Sequence, residues 1–186
     1  MSQAITLHQT AELRDARQDD CPAIQAIYAD HVLHGVASFE ETPPDLAEIQ
    51  RRVAAVQSAA LPYLVAEASP AGGDILGFAA VGPYRTRPAY RYTLETTVYI
   101  RRGLEGRGIG SLLLPALIER SEALGFRQLV AVIGDSENLA SIGLHKRHGF
   151  REAGVLRAIG FKHGRWLDSV LMQRALGKGG DSPPDG

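Results

Sequence analysis

One cysteine, Cys21, is all the thiol chemistry available to this 186-residue chain. A single cysteine excludes an internal disulfide and a cysteine-rich metal site, and it fits a reducing compartment. Its position, directly before Pro22 at a helix start, suits packing or helix entry better than nucleophilic work. Charge of either sign is also not in excess: 20 Lys and Arg stand against 21 Asp and Glu, for a formal net charge of −1. That balance argues against a broad basic face for nucleic acid or a membrane surface, so any recognition by charge must be local. Long apolar runs are missing as well. No stretch of about 18 apolar residues could span a bilayer, and MSQAITLHQT lacks a basic segment followed by an apolar core. The expectation is a cytoplasmic protein with no metal, no nucleic-acid partner and no membrane partner.

What is present is the composition of a soluble globular domain, 45% apolar and 22% charged, without internal repeats. The length suits one domain. Residues 1–10 read as a flexible leader, 11–176 as the domain, and the Gly/Pro-rich 177–186 as a disordered tail. Apolar periodicity and turn signals give the order β, α, α, β, β, β, α, β, α, β, β. The first helix has Asp19 and Asp20 as caps and Ile24, Ile27, Tyr28 and Val32 on one face. The second is capped by Asp45, with Leu46, Ile49, Val53 and Val56 inward. QLVAVI, residues 128–133, reads as a fully buried strand. Residues 138–148 form the last helix, stopped by Gly149 and Phe150.

The chain is organised around Thr93 to Leu124: a strand rich in Thr, Val, Tyr and Ile, the loop Glu105-Gly106-Arg107-Gly108-Ile109-Gly110, and a long helix. Glycines at a helix start leave N–H groups uncovered where the macrodipole is positive, which is a seat for phosphate oxygens. The spacing is not that of a dinucleotide fingerprint, and the Lys-Ser/Thr of a nucleotide triphosphate loop is missing. Two readings stay open: a pyrophosphate site of another kind, helped by Arg101, Arg102 and Arg107, or a tight turn with no ligand. Pro115 inside the helix removes one backbone hydrogen bond and should bend the axis. Glu95 interrupts an otherwise uncharged strand, so it is either a solvated strand residue or a proton acceptor placed for a purpose.

The stretches ASFEETP, RTRPAY, ETTVYI, GRGIGS, AVIGDSEN, LHKRHGF and GFKHGRW, in that order, resemble the GNAT superfamily of N-acetyltransferases, and within it the phosphinothricin and methionine sulfone or sulfoximine acetyltransferases. The resemblance runs from Leu13 to about Leu176. Glu105 departs from it, since the family's loop has Gln or Arg there. The resemblance implies an α/β fold with a mixed, mostly antiparallel twisted sheet of about seven strands, about four flanking helices, and a splay between the central strands. It implies acetyl-CoA as co-substrate, held by Val98, Tyr99 and Ile100 on the strand, by Gly106, Arg107, Gly108, Ile109, Gly110 and Ser111 around the pyrophosphate, and by Asn138. Glu95 becomes the base that removes a proton from the amine, and His145 the group that protonates the departing thiolate. Phe39, Arg85, Arg87 and Tyr90 become the substrate contacts, and a homodimer is implied. The expected reaction is direct acetylation of the α-amine of a small amino acid analogue, because no cysteine sits where a nucleophile would. Acetylation of protein N-termini or polyamines, or a non-catalytic acyl-CoA-sensing module, are the rival readings.

Overall fold

The computed structural model describes residues 11–69 and 73–184; the expected leader lies outside them. The chain runs β1 (Ala11–Asp15), α1 (Cys21–His34), α2 (Leu46–Ser58), β2 (Tyr63–Ala68), β3 (Ile75–Pro83), β4 (Thr93–Ile100), α3 (Ile109–Ala123), β5 (Gln128–Gly134), α4 (Leu139–Arg147), β6 (Arg151–Lys162) and β7 (Arg165–Ala175). Short 3₁₀ turns at Gln18–Asp20 and Pro88–Tyr90 complete it. The strands form one seven-stranded sheet in the order β1-β2-β3-β4-β5-β7-β6. Its pairings are antiparallel except that of β4 with β5.

Strand alternation gives the sheet two apolar faces, and each collects helices. On one, Tyr63, Val65, Phe78 and Ala80 meet Ile24, Ile27, Ile49 and Val53 of α1 and α2. On the other, Leu64, Ala79, Val81, Leu94 and Leu129 meet Leu113, Leu114 and Leu117 of α3. Pro115 does not break α3. A helix-interior proline costs about 3 kcal/mol, whereas burying each of Leu113, Leu114, Leu117 and Ile118 returns about 1.5–3 kcal/mol.

The structure departs from local expectation in three places. Asp20 makes no side-chain cap on α1; its carboxylate instead takes a two-pronged contact from Arg14 at 2.7 and 2.8 Å. Leu46, expected inward, is exposed; it is the first residue of α2, at the open end of the helix. Asp45 does cap α2, accepting from the Glu48 N–H at 2.8 Å. β5 is buried on one face only: Leu129, Ala131 and Ile133 are covered while Val132 is exposed. Residues 177–180 form turns, and Arg127 donates to the Pro183 carbonyl at 2.9 Å.

The feature that positions a site is the short pairing of β4 with β5. It extends from Thr93↔Gln128 to Thr96↔Ala131 and stops, although β4 continues to Ile100 and β5 to Gly134. Beyond Thr96 the strands diverge and leave a gap in the middle of the sheet. The splay does not arise from a bulge in β4, whose register with β3 is unbroken from Gly77↔Ile100 to Pro83↔Leu94.

Candidate active site

A cavity of about 920 Å³ occupies this gap. It runs from the glycine-rich turn ahead of α3, past the free ends of β4 and β5, to a chamber under α1 and α2. Three exposed apolar side chains, Phe39, Val132 and Leu139, lie along it. Exposed apolar surface inside a cleft suits a ligand with an apolar arm.

Backbone direction in β4 explains what the gap offers. The Arg101 N–H bonds to Leu76 and the Thr93 carbonyl accepts from Tyr84, so odd-numbered residues turn their backbone groups toward β3. Even-numbered ones face the other way. Thr96 is the last to meet β5, which leaves the Val98 N–H and carbonyl and the Ile100 N–H facing the gap. The Ile100 carbonyl accepts from His31 Nε2 at 2.7 Å. Tyr99, expected among the cofactor contacts through its backbone, faces β3; its ring packs with Tyr28 and Phe78 on the α1 side.

At the turn, Gly106 and Gly108 have φ of +75° and +85°, a conformation in which any side chain would be strained. Gly108 is the N-cap of α3 and no side chain caps that end. The N–H groups of Ile109, Gly110 and Ser111 thus start the helix bare, and Gly106, Gly108, Gly110 and Ser111 line the cavity. Gly110 has a packing role too, because a Cβ there would lie 2.9 Å from Leu144 Cδ2 of α4.

The arginines expected to reinforce this seat are mostly engaged elsewhere. Arg101 pairs with Asp74 at 3.4 Å, and Arg102 with Asp30 at 3.2 Å and the His34 carbonyl at 2.8 Å. Arg107 makes no ion pair among the described residues and is exposed. Glu105 ties down the turn locally, its Oε2 accepting from the Gly103 N–H at 2.7 Å. Asn138 caps α4, accepting from the Ser141 N–H at 3.2 Å, and lines the cavity.

Glu95 lies on the α1 and α2 face of β4, half-buried, and lines the chamber. Burial pushes its carboxyl above the usual carboxylate range, and the Arg85 guanidinium partly opposes that shift. His145 is 4% exposed and also lines the cavity. Its Nδ1–H donates to the Ser141 carbonyl at 2.8 Å, and the ring meets Phe150 edge-on at 4.9 Å. Burial lowers its pKa, and nearby His148 adds to the effect. With Nδ1 committed as donor to a carbonyl, a neutral imidazole carries its lone pair on Nε2, and that atom has no hydrogen-bond partner among the described residues. Nε2 thus rests as an acceptor and takes up a proton before it can give one.

The substrate contacts expected from the sequence separate. Phe39 lines the chamber, whereas Arg85, Arg87 and Tyr90 lie on an exposed loop outside the lining. Arg85 stacks over Tyr84 at 5.0 Å. Missed at the sequence level were Tyr28, His31, Ser38 and Arg52, all of which line the chamber. Arg52 reaches Glu40 at 2.9 Å and Glu48 at 2.6 Å. Arg52 belongs to a helix that reads as an ordinary amphipathic one, so only the three-dimensional closure of α1 and α2 reveals it. Cys21 is fully buried, with its thiol pKa raised by burial, and does not line the cavity.

A seven-stranded sheet splayed beside a glycine-rich turn, with a cavity through the splay, defines an acyl-transfer fold, and the chain belongs to the acetyltransferase (GNAT) domain family, whose model matches residues 13–171. Within that family it is 54% identical over 173 residues to a phosphinothricin N-acetyltransferase of Alcaligenes faecalis, covering 93% of this chain and 86% of the relative. It is 46% identical over 167 residues to an L-methionine sulfoximine/L-methionine sulfone acetyltransferase of Pseudomonas paraeruginosa, covering 90% and 95%. A GNAT-superfamily phosphinothricin acetyltransferase from Sinorhizobium meliloti, solved with acetyl-CoA, superposes with a TM-score of 0.90 at 44% identity, covering 95% of this chain and 94% of that one.

Proposed function

We propose that this protein is an acetyl-CoA-dependent N-acetyltransferase that acetylates the α-amine of small amino acid analogues of the phosphinothricin, methionine sulfone and methionine sulfoximine type. The observation that carries the reading is the continuous cavity joining the bare helix start, the free edge of β4 and the Glu95 carboxylate. It is supported by the activities for which the two relatives are named.

Acetyl-CoA supplies an acetyl thioester. The N–H groups of Ile109, Gly110 and Ser111, with those of the turn from Gly106 to Gly108, form an anion-binding nest suited to its pyrophosphate, and Arg107 adds a nearby charge. The backbone groups of Val98 and Ile100 that face the gap suit the amide-bearing arm as an added strand would. Asn138 caps α4 beside that arm, and exposed Leu139 and Val132 give it apolar contact. A backbone N–H at the β4 edge can hold the thioester oxygen as it gains charge.

Glu95 acts as the base. An amino acid's amine is mostly protonated near pH 7, and only the free amine attacks, so one proton must leave the nitrogen first. The carboxylate takes it directly or through water. A carboxyl raised by burial is a stronger base than an exposed one, which suits proton removal near neutral pH. As the C–N bond forms and the C–S bond breaks, the nitrogen sheds a second proton and the sulfur gains an electron pair. His145 Nε2, bare at rest, takes up that second proton and passes it to the thiolate, whose reference pKa of about 8.5 makes it the better base of the two, so the free thiol leaves and only the first proton remains on Glu95. Phe39 forms an apolar wall for the acceptor, and Arg85, outside the lining on its exposed loop, still acts electrostatically on Glu95.

The protein acts as a homodimer in the cytoplasm. The β6–β7 hairpin leaves Leu156, Ile159, Phe161 and Trp166 exposed, an apolar patch that a second copy would cover. Light scattering on the purified chain tests this; a monomer at micromolar concentration contradicts it.

Function is tested by a CoA-release screen against phosphinothricin, methionine sulfone, methionine sulfoximine, the ordinary amino acids and spermidine. Selective turnover of the tetrahedral-headed analogues is expected. Preference for spermidine or for peptide N-termini would overturn the substrate assignment. Acetyl-CoA binding without transfer to any amine would mark a sensing module instead.

A further inference from the structure

The loop between α1 and α2, residues 35–45, carries Phe39 into the lining of the chamber and is held both by its flanking helices and by the distant β6–β7 hairpin. The hairpin takes hold of it through three residues. Lys162, the last residue of β6, is 4% exposed, and its ammonium donates to the Ser38 carbonyl at 2.7 Å. His163, in the hairpin turn, donates from Nε2 to the Gly35 carbonyl at 3.2 Å. Gly160 lies flat against the Phe39 ring, where a Cβ would come within 2.5 Å of Cε2 and 2.7 Å of Cδ2. From the other side, the Tyr28 hydroxyl and Ser38 Oγ share a hydrogen bond at 2.9 Å, and Ser38 Oγ accepts from the Glu40 N–H at 3.2 Å.

The hairpin is shaped for this grip. Its register slips between Leu156 and Gly160, and Asp168 accepts from the Ala158 N–H at 3.0 Å to hold the irregularity. The slip sets the alternation so that Gly160 and Lys162 both turn toward the loop. A lysine ammonium is rarely so deeply buried, since removing it from water is expensive unless it is bonded. Here it bonds to a backbone carbonyl next to Phe39, which is where it can fix a wall and not merely fill space.

We infer that Lys162 is a positioning residue for the acetyl acceptor: together with Gly160 it sets Phe39 and Ser38 as the amine-side wall of the chamber, without touching the cofactor's half of the cavity. The inference rests on the transfer reaction proposed above. It predicts a selective effect, because Ser38 and Phe39 contact Tyr28, Gly160 and Lys162, none of which belongs to the glycine turn.

Steady-state kinetics of the full chain with Lys162→Met and, separately, Gly160→Ala provide the test. Lys162→Met keeps an unbranched side chain, one atom shorter, and removes the donor. Gly160→Ala keeps the ammonium and displaces the ring; the backbone at Gly160 is not in the left-handed region, so contact alone is altered. In both, KM for the amine should rise about tenfold, equivalent to about 1.4 kcal/mol, while KM for acetyl-CoA stays within about twofold. If Lys162→Met does not fold, Gly160→Ala carries the test. Equal increases in both KM values, or none, would overturn the inference. Absence of transfer by the unaltered protein would instead remove the transfer reading and this inference with it.

Discussion

Replacing Glu95 by Gln probes the proposed base with the least disturbance to the fold. The side chain keeps its shape, and the pairings of residue 95 with Gly82 and Val130 are backbone matters. What is lost is the ability to hold a proton. General base catalysis contributes about 10²- to 10⁴-fold, so turnover should fall by that factor, or about 3–5 kcal/mol in barrier at about 1.36 kcal/mol per decade. Acetyl-CoA affinity, measured by calorimetry, should be unchanged, since the glycine turn lies at the other end of the cavity. The pH profile adds a second reading. Burial raises the Glu95 pKa, so activity of the unaltered protein should fall on acidification at a pH above the ordinary carboxylate range, and that limb should be absent in the variant. Stability should move the other way. A carboxyl whose pKa is raised by folding favours the fold below its unfolded pKa and loses that contribution as pH rises through the folded pKa. Glu95→Gln should therefore raise the melting temperature near neutral pH and leave it unchanged in acid. Turnover by thiol release within about threefold of the unaltered protein would refute the assignment, since the general-base contribution is about 10²-fold at least.

His145→Gln removes the bare Nε2 and should lower kcat by about 10²-fold, at the lower end of acid–base effects, with KM for both substrates unchanged; a changed KM for acetyl-CoA alone would assign His145 to binding. Gly108→Ala forces a side chain onto a φ of +85°, which costs about 1–2 kcal/mol, so KM for acetyl-CoA should rise several-fold with little effect on the amine. Asp168 accepts from Ser136 at 2.5 Å, the Ala158 N–H at 3.0 Å and Arg157 at 2.6 Å, and these bonds hold its pKa down at about 2 from an ordinary 3.8. Its stabilising contribution is complete above the unfolded value and is lost as pH falls toward 2; Asp168→Asn should flatten that part of a melting-temperature profile.

The elements that depend on local chemistry were legible in the sequence. Asp45 capping α2, the Gly149 and Phe150 stop after α4 with the Phe150 N–H returning to the His145 carbonyl at 3.0 Å, and the glycine turn before α3 follow from residue type and spacing. The order of elements follows from periodicity. What the sequence could not supply was partner choice. Whether Asp20 caps a helix or pairs with Arg14 depends on β1 lying beside the helix start. Whether Arg101 and Arg102 face a pyrophosphate or Asp74 and Asp30 depends on where α1 and the β2–β3 turn pass. The same limit separated Phe39, which lines the chamber, from Arg85, Arg87 and Tyr90, which do not. It also hid Arg52 and Lys162, whose significance arises only when α2 and the β6–β7 hairpin close over the loop between α1 and α2. Glu105, a departure from the family pattern in the sequence, has a structural explanation in its bond to the Gly103 N–H.

In the proposed reaction, amine and acetyl-CoA occupy one cavity together and the acetyl group moves between them without stopping on the protein. Cys21 is fully buried and away from that cavity, which leaves no thiol to hold it. Initial velocities with both substrates varied test this most directly. Lines that intersect in the double-reciprocal plot are expected, as for a ternary complex; parallel lines, with an acetylated protein detectable by mass spectrometry after incubation with acetyl-CoA alone, would contradict direct transfer.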